Sequence, residues 1–324
     1  MNKIALFGFY FGALPMHIKL WFRTCGYNPG IDFIFVTDQE IDYPLPDNVK
    51  VIKTDIQSLT DLFSERLGLK ANLYRPYKLC DFRPAYGVIY EDILKGYDFW
   101  GHCDQDLVFG DIRALLTEDI LDAHDKIQPF GHLCLYRNNE LMNNLYKEQC
   151  EGVADYRDVF TESTHYAFDE FRGIDKICEI KGIKKFKSED FFVETWIFKS
   201  RLADKNSGVE DGVFFWENGK LFMAWMQDST IAKKEIMYMH LRNRPMKMPS
   251  FDILSADAFF VVANGFKPKE VGVLTEKDMR TMNKPAFLYG EKKLLWWKYQ
   301  KKIYGPTRRF YRKIKKKLAG KSKS

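Results

Sequence analysis

Short apolar runs separated by segments of helix length fill the first part of the chain, and they leave few folds open. Residues 3–9, 31–36 and 49–52 each read as a buried strand. Between the first two, Pro15 can open a helix that reaches about Cys25, with Leu20, Trp21 and Phe22 on or near its buried face, and Asn28-Pro29-Gly30 ends it. A second helix is predicted over Ile56–Leu67. Alternation of this kind implies a parallel α/β sheet.

The pattern continues less regularly. Apolar residues from Tyr77 through Ile89 and Leu94 fit a helix that Pro84 disturbs or restarts. Residues 97–102 form a predicted central strand that runs into Cys103-Asp104-Gln105-Asp106, and 126–130 form another. Residues 150–210 are polar and give no clear period. Within 213–225, Asn218-Gly219 between two strand-like runs predicts a hairpin. A further strand over 235–239 ends in His240, and no internal repeat is visible.

A length of 324 residues suits one large domain or one with an appendage, and an apolar fraction of 46% suffices for a sizeable core. The six cysteines form no C-x-x-C pair, which argues against a zinc ribbon; reduced, mostly buried thiols are expected. The apolar start is read as a first core strand rather than a signal peptide, because His17 and Lys19 follow soon and no small-x-small cleavage site is evident. No run of about 18 apolar residues marks a transmembrane helix. Charge is unevenly distributed. Residues 291–324 hold 14 of the 50 Lys/Arg and one of the 44 Asp/Glu, a net of +13, and the rest carries 36 basic and 43 acidic residues, a net of −7. The expected division is therefore a main α/β domain over 1–285 and a basic amphipathic tail over 286–324.

Asp104 and Asp106 carry the clearest chemistry. Carboxylates at i and i+2, where a strand ends and the chain turns, can converge on one hard cation such as Mg²⁺ or Mn²⁺. Ligands of open α/β sheets bind beyond the carboxyl ends of strands, which is where Asp104 falls. No Walker A or G-x-G-x-x-G sequence is present, so phosphate would have to be held by metal and basic residues.

Tyr77-Lys78-x-x-Asp81-Phe82-Arg83-Pro84, followed by Tyr97-Asp98-Phe99-Trp100-Gly101-His102-Cys103-Asp104-x-Asp106, resembles a family of bacterial surface-polysaccharide glycosyltransferases of otherwise uncharacterised function. Phe130-Gly131-His132, Leu135-Tyr136-Arg137-Asn138-Asn139, Phe168-Asp169-Glu170 and His240-Leu241-x-x-Arg244 extend the resemblance over roughly residues 3–250. More distantly, the order of blocks is similar to the retaining GT-A transferases with a DxD and a late metal-binding His. The resemblance implies a GT-A-like (Rossmann-like) nucleotide-diphospho-sugar transferase fold with a mixed central sheet. It implies a hexosyltransferase-like enzyme acting in capsule or lipopolysaccharide assembly on a glycan or lipid-linked acceptor. A metal set of Asp104, Asp106 and His240 follows from it, with Mn²⁺ or Mg²⁺ as cofactor.

Other positions take roles within that frame. Tyr10 and Phe11, ending the first strand, are placed to meet a nucleotide, and Asp38, ending the second, to contact its nucleoside. Lys78 and Asp81, one helical turn apart, are expected to face the cleft and hold donor sugar or phosphate, with Asp104 beside the donor. Arg242 and Arg244 are expected to grip the diphosphate. Asp169 and Glu170 are the candidate catalytic pair, orienting an acceptor hydroxyl or acting as base or nucleophile. His132 and Arg137-Asn138 are assigned to the acceptor side.

In the tail, Phe310, Ile314 and Leu318 fall on one helix face, and Trp296-Trp297 with the basic residues suit a helix lying on an anionic leaflet. The expected location is therefore cytoplasmic, peripheral at the inner face of the cell membrane. No recognised nucleic-acid fold accompanies the charge, so a nucleic-acid partner is not expected. Two other functions fit the same residues: a sugar-nucleotide or glycan-binding module without transfer, and a metal-dependent nucleotide-sugar hydrolase.

Overall fold

The computed structural model describes residues 1–196, 200–209, 211–242, 244 and 246–286. The expected basic tail therefore lies, but for Ala286, outside the described residues. The amino-terminal alternation folds in the order read, with the first helix opening at Ile18 rather than at Pro15: β1 (Ile4–Tyr10), α1 (Ile18–Gly26), β2 (Ile31–Thr37), β3 (Val49–Lys53) and α2 (Ile56–Leu67). The limits of α2 are set by local chemistry. The Asp55 carboxylate accepts the Ser58 amide at 2.8 Å, and Gly68 closes the other end in the left-handed region at φ 64°. The stretch around Pro84 is broken more finely than a disturbed helix, into alternating 3₁₀ and α turns from Pro76 to Ile89.

The central strand is β4 (Phe99–Cys103), followed at once by β5 (Leu107–Phe109). Next come β6 (Lys126–Phe130) and β7 (Leu133–Arg137). Together with β8 (Lys185–Phe186) they complete a seven-stranded sheet in the order β3-β2-β1-β4-β7-β6-β8. The half from β3 to β4 is parallel, whereas β7 runs antiparallel to both β4 and β6. The sheet is thus mixed. Because side chains alternate along a strand, both faces are buried. Ala5 and Phe7 of β1 and Trp100 of β4 join a core with Phe63, Tyr86 and Tyr90. Ile4 and Leu6, with Phe99 and Cys103, join a second with Trp21, Phe33 and Phe35. Burial of each such ring is worth roughly 1.5–3 kcal/mol. At the seam of β4 and β7 only glycine fits: a Cβ on Gly101 would stand 2.0 Å from the Cys134 carbonyl oxygen.

Two smaller sheets complete the described fold. A three-stranded one is built from β5, β9 (Phe192–Glu194) and β13 (Tyr238–His240). A five-stranded one follows the order β12-β11-β10-β14-β15, from β10 (Val213–Glu217), β11 (Lys220–Gln227), β12 (Thr230–Ile236), β14 (Ala258–Val262) and β15 (Gly265–Pro268). The predicted Asn218-Gly219 hairpin is the β10–β11 turn, with both residues at positive φ. The single strand expected over 235–239 is two strands in different sheets. At Met237 the chain leaves β11 and crosses to β5, its amide donating to the Phe191 carbonyl at 2.6 Å and its carbonyl accepting the Gly110 amide at 2.8 Å. All six cysteines are free thiols, four of them buried. Among the described residues no helix is long and apolar enough to cross a membrane.

Candidate metal centre and cleft

The parallel strands β1, β2 and β4 end at one edge of the large sheet, and a cleft of about 580 Å³ opens there. Tyr10 and Phe11, from the end of β1, line it, as do Asp104, Gln105 and Asp106 from the turn after β4. That turn is held on two sides. The Asp104 amide donates to the His132 carbonyl at 2.9 Å, and the Trp21 indole donates to the Asp104 carbonyl at 3.0 Å. Immediately after it, β5 pairs antiparallel with β13, so that Leu107 faces His240, and the Leu241 amide donates to the Asp106 carbonyl at 2.9 Å. This register brings residues 134 positions apart in sequence together: His240 Nε2 lies 3.4 Å from Asp106 Oδ1. Ligand atoms of Asp104, Asp106 and His240 all lie within 4.8 Å of one another.

The group has the composition of a divalent-cation site. Two carboxylates and one imidazole suit Mn²⁺ better than an all-oxygen demand for Mg²⁺. His240 Nδ1 is buried with no hydrogen-bond partner, and all three residues are only partly buried, open to the cleft. Burial works against the charged form of His240, but the hydrogen bond and charge of Asp106, helped by Asp104 and Glu194, raise its pKa above the ordinary 6.5. His132, its ring tilted against that of His240 at a centroid distance of 4.5 Å and bonded at 3.1 Å to the Tyr238 hydroxyl, goes the other way: burial and the neighbouring His240 hold it neutral.

Beside this set sits Arg83, a residue with no role assigned from the sequence. Its guanidinium donates to Asp104 Oδ1 at 2.5 Å, to Asp169 Oδ2 at 2.9 Å and to the Gly131 carbonyl at 2.5 Å. Burial opposes its charge, but Cys80, Asp104 and Asp169 around it keep it protonated. Asp169, 3% exposed, is pushed up to about 7 by burial against the pull of Arg83, with Glu170 and Asp104 adding to the rise. Glu170 also lines the cleft. Two further wall residues escaped the sequence reading. Glu194 is placed by the parallel pairing of β9 with β13, opposite His240, and bonds Arg242 at 3.1 Å. His17 also lines the cleft, its pKa lowered by burial against the opposing charge of Asp106. Neither belongs to a local motif, so only the three-strand pairing and the loop before α1 reveal them.

Several expected positions fall elsewhere. Lys78 and Asp81 are not in the cleft wall but fully buried behind it, paired at 2.8 Å. Lys78 also donates to the carbonyls of Val159 and Thr164, and Asp81 accepts the amides of Tyr166 and Phe168. Every ammonium hydrogen has a partner, so none is left for a donor sugar. Arg244 is likewise buried, 2% exposed, and donates to the carbonyls of Ala263 and Trp196; burial lowers its pKa to about 10. Of these two late arginines, the one that lines the cleft is Arg242. Asp38 is exposed and accepts the Gly12 amide at 2.9 Å, outside the wall itself. Arg137 and Asn138 lie at the opposite end of the sheet, where β7 pairs with the start of β4, and bond carbonyls of 121–124 and of Leu94 and Tyr97. Of the expected acceptor-side residues, His132 alone lines the cleft.

The chain belongs to a protein family described only as a family of unknown function (DUF6625), whose model matches residues 6–270. No curated protein matches the sequence. Among solved structures, it is similar to the apo-form glycosyltransferase GlyE of Streptococcus pneumoniae TIGR4, at 11% identity and a TM-score of 0.30 over 58% of this chain and 46% of that one. A second GlyE structure gives 13% identity and a TM-score of 0.28 over 59% and 46%. The chain spans under half the length of the solved proteins it matches.

Proposed function

We propose that the protein is a metal-dependent glycosyltransferase that moves a sugar from a nucleotide-diphosphate donor to a glycan or lipid-linked acceptor. The observation that carries this reading is the convergence of Asp104, Asp106 and His240 at the carboxyl edge of the sheet, in a cleft that also presents two guanidinium groups. Asp104, Asp106 and His240 would hold Mn²⁺, or Mg²⁺ less readily. A bound divalent ion supplies Lewis-acid stabilisation of the negative charge that grows on a departing diphosphate.

The rest falls to the chain's own side chains. Arg242, half-turned to solvent beside Glu194, offers a second positive charge to phosphate oxygens. Arg83 fixes the orientation of Asp104 and Asp169 from beneath, and its charge also stabilises developing negative charge. Tyr10 and Phe11 provide flat surface beside the strand end for a base. With a pKa near 7, Asp169 can hold a proton or release it at neutral pH, as acid–base work at an acceptor hydroxyl requires. Attachment through residues 291–324 to an anionic leaflet would bring a lipid-linked acceptor near.

The test is turnover of a panel of nucleotide sugars with Mn²⁺, with Mg²⁺ and with chelator. Asp106→Asn is expected to lower the rate by at least the roughly 10²–10³ that loss of one preorganised charge contact costs. Full turnover in chelator by that variant would sink the proposal. Metal-dependent release of sugar to water, with no acceptor accelerating it, would make the protein a hydrolase instead.

A further inference from the structure

In the wall of the same cleft, the chain exposes a large ring that the core does not need. Tyr77 is 61% exposed and lines the cleft. Its ring packs against the His165 imidazole at a centroid distance of 4.6 Å, and the Arg75 guanidinium stands 5.8 Å from it. The backbone under this pair is immobilised by the buried Lys78–Asp81 pair. Lys78, the next residue after Tyr77, holds the Thr164 carbonyl at 2.5 Å, and Asp81 holds the Tyr166 amide at 3.0 Å. His165 lies between those two anchors, with Nδ1 3.3 Å from Asp81. The same loop then delivers Asp169 and Glu170 to the cleft.

An aromatic face fixed beside two carboxylates has a specific chemical match. One face of a pyranose presents C–H groups that pack on a ring, and its hydroxyls donate to carboxylate oxygens, which only accept when ionised. Ligand sites in general combine apolar walls with a few convergent polar groups. We propose that Tyr77, backed by His165, is the platform for the acceptor sugar, with Glu170 receiving one of its hydroxyls. The inference rests on the glycosyltransferase reading, in which one wall holds donor and metal and the other the acceptor. It also gives the buried Lys78–Asp81 pair a purpose: both residues act as positioning residues for the platform.

The test is saturation-transfer NMR on the full chain, with methyl glycosides of glucose, galactose, mannose, N-acetylglucosamine and glucuronic acid as probes. The ring protons of at least one glycoside are expected to receive saturation from the wild type. Tyr77→Ala should weaken that glycoside's binding about tenfold, or about 1.4 kcal/mol, and Tyr77→Trp should restore it. Because the ring is exposed, both variants should melt with the wild type. Leu141→Ala, exposed beyond the opposite end of the sheet, is the control and should bind as wild type. Equal binding by Tyr77→Ala, no saturation of any glycoside, or a Tyr77-dependent response to free nucleosides alone would overturn the platform. Mn²⁺ binding and nucleotide-sugar turnover, measured on the same samples, separate the two ideas. Their absence alongside Tyr77-dependent glycoside binding removes the transferase and with it the acceptor role, leaving Tyr77 a sugar-binding surface; their presence without it removes the platform alone.

Discussion

Two charged clusters stand on either side of the cleft wall, and they differ in how completely their charges are used. Lys78 and Asp81 are fully buried; the ammonium has three partners, and the carboxylate takes an ammonium and two backbone amides. Asp104, Asp106 and His240 are partly open, and a buried ring nitrogen of His240 has no partner. A saturated cluster has no capacity for a ligand and serves as scaffold. An unsaturated, convergent one keeps its capacity for something that arrives. The scaffold pair is local, three residues apart, whereas the open cluster joins Asp104 and Asp106 to His240 from far along the chain.

The largest effect should come from breaking the scaffold. In Asp81→Ala, Lys78 is left buried without a countercharge and two amides lose their acceptor, so a loss of about 3–5 kcal/mol is expected in denaturant unfolding. A Lys78→Met/Asp81→Leu double variant removes the orphaned charge but not the orphaned amides. It should be more stable than Asp81→Ala and less stable than wild type. Asp106→Asn, by contrast, should cost turnover while shifting the unfolding free energy by less than about 1 kcal/mol. If Asp81→Ala unfolds like the wild type, the division into scaffold and site fails.

The two late arginines give a second, smaller contrast. Arg244→Leu removes a buried guanidinium and leaves the carbonyls of Ala263 and Trp196 short of a donor, at an expected cost of about 1–3 kcal/mol in stability. Arg242→Leu loses only a cleft-side pair with Glu194, so it should unfold near wild type but weaken binding of a nucleoside diphosphate, read by calorimetry. Reversal of the two phenotypes would exchange their roles.

How much of this was legible in the sequence follows from the range of the forces involved. The first strands and α2 could be read because strand period, cap and stop are local: Asp55 and Gly68 directly flank the helix they delimit. Asp104, Asp106 and His240 were legible as residue types on strand ends, and β5–β13 pairing supplies the proximity that no spacing reveals. Lys78 and Asp81 were misplaced because an i,i+3 pair looks the same whether it faces water or a core; the difference is made by Val159, Thr164, Tyr166 and Phe168, some eighty residues later. Arg244 was placed at the diphosphate together with Arg242 for the same reason: positive φ at Arg242 redirects the chain, and the two-residue spacing does not report it. Strand β7 was read only as a family block, and Arg137-Asn138 at its end accordingly went to the wrong edge.

Asp169 sharpens the comparison because it belongs partly to each class: it is buried like Asp81 but lines the cleft like Asp104. Burial, opposed by Arg83, puts its pKa at about 7, above the ordinary carboxylate value of 3.8. The folded protein then binds a proton between about pH 4 and 7 that the unfolded chain has released. Its contribution to stability is complete below the lower value and is lost as pH rises through the upper one, with a slope of up to about 1.4 kcal/mol per pH unit. Asp169→Asn should flatten that part of the pH–stability curve measured by denaturant unfolding, while Arg83 keeps Asp104 and the Gly131 carbonyl as partners. A wild-type curve already flat across this window would mean that Arg83 keeps Asp169 ionised throughout. Asp169 would then belong with Asp81 as fixed scaffold, and the acid–base role proposed for it would fall.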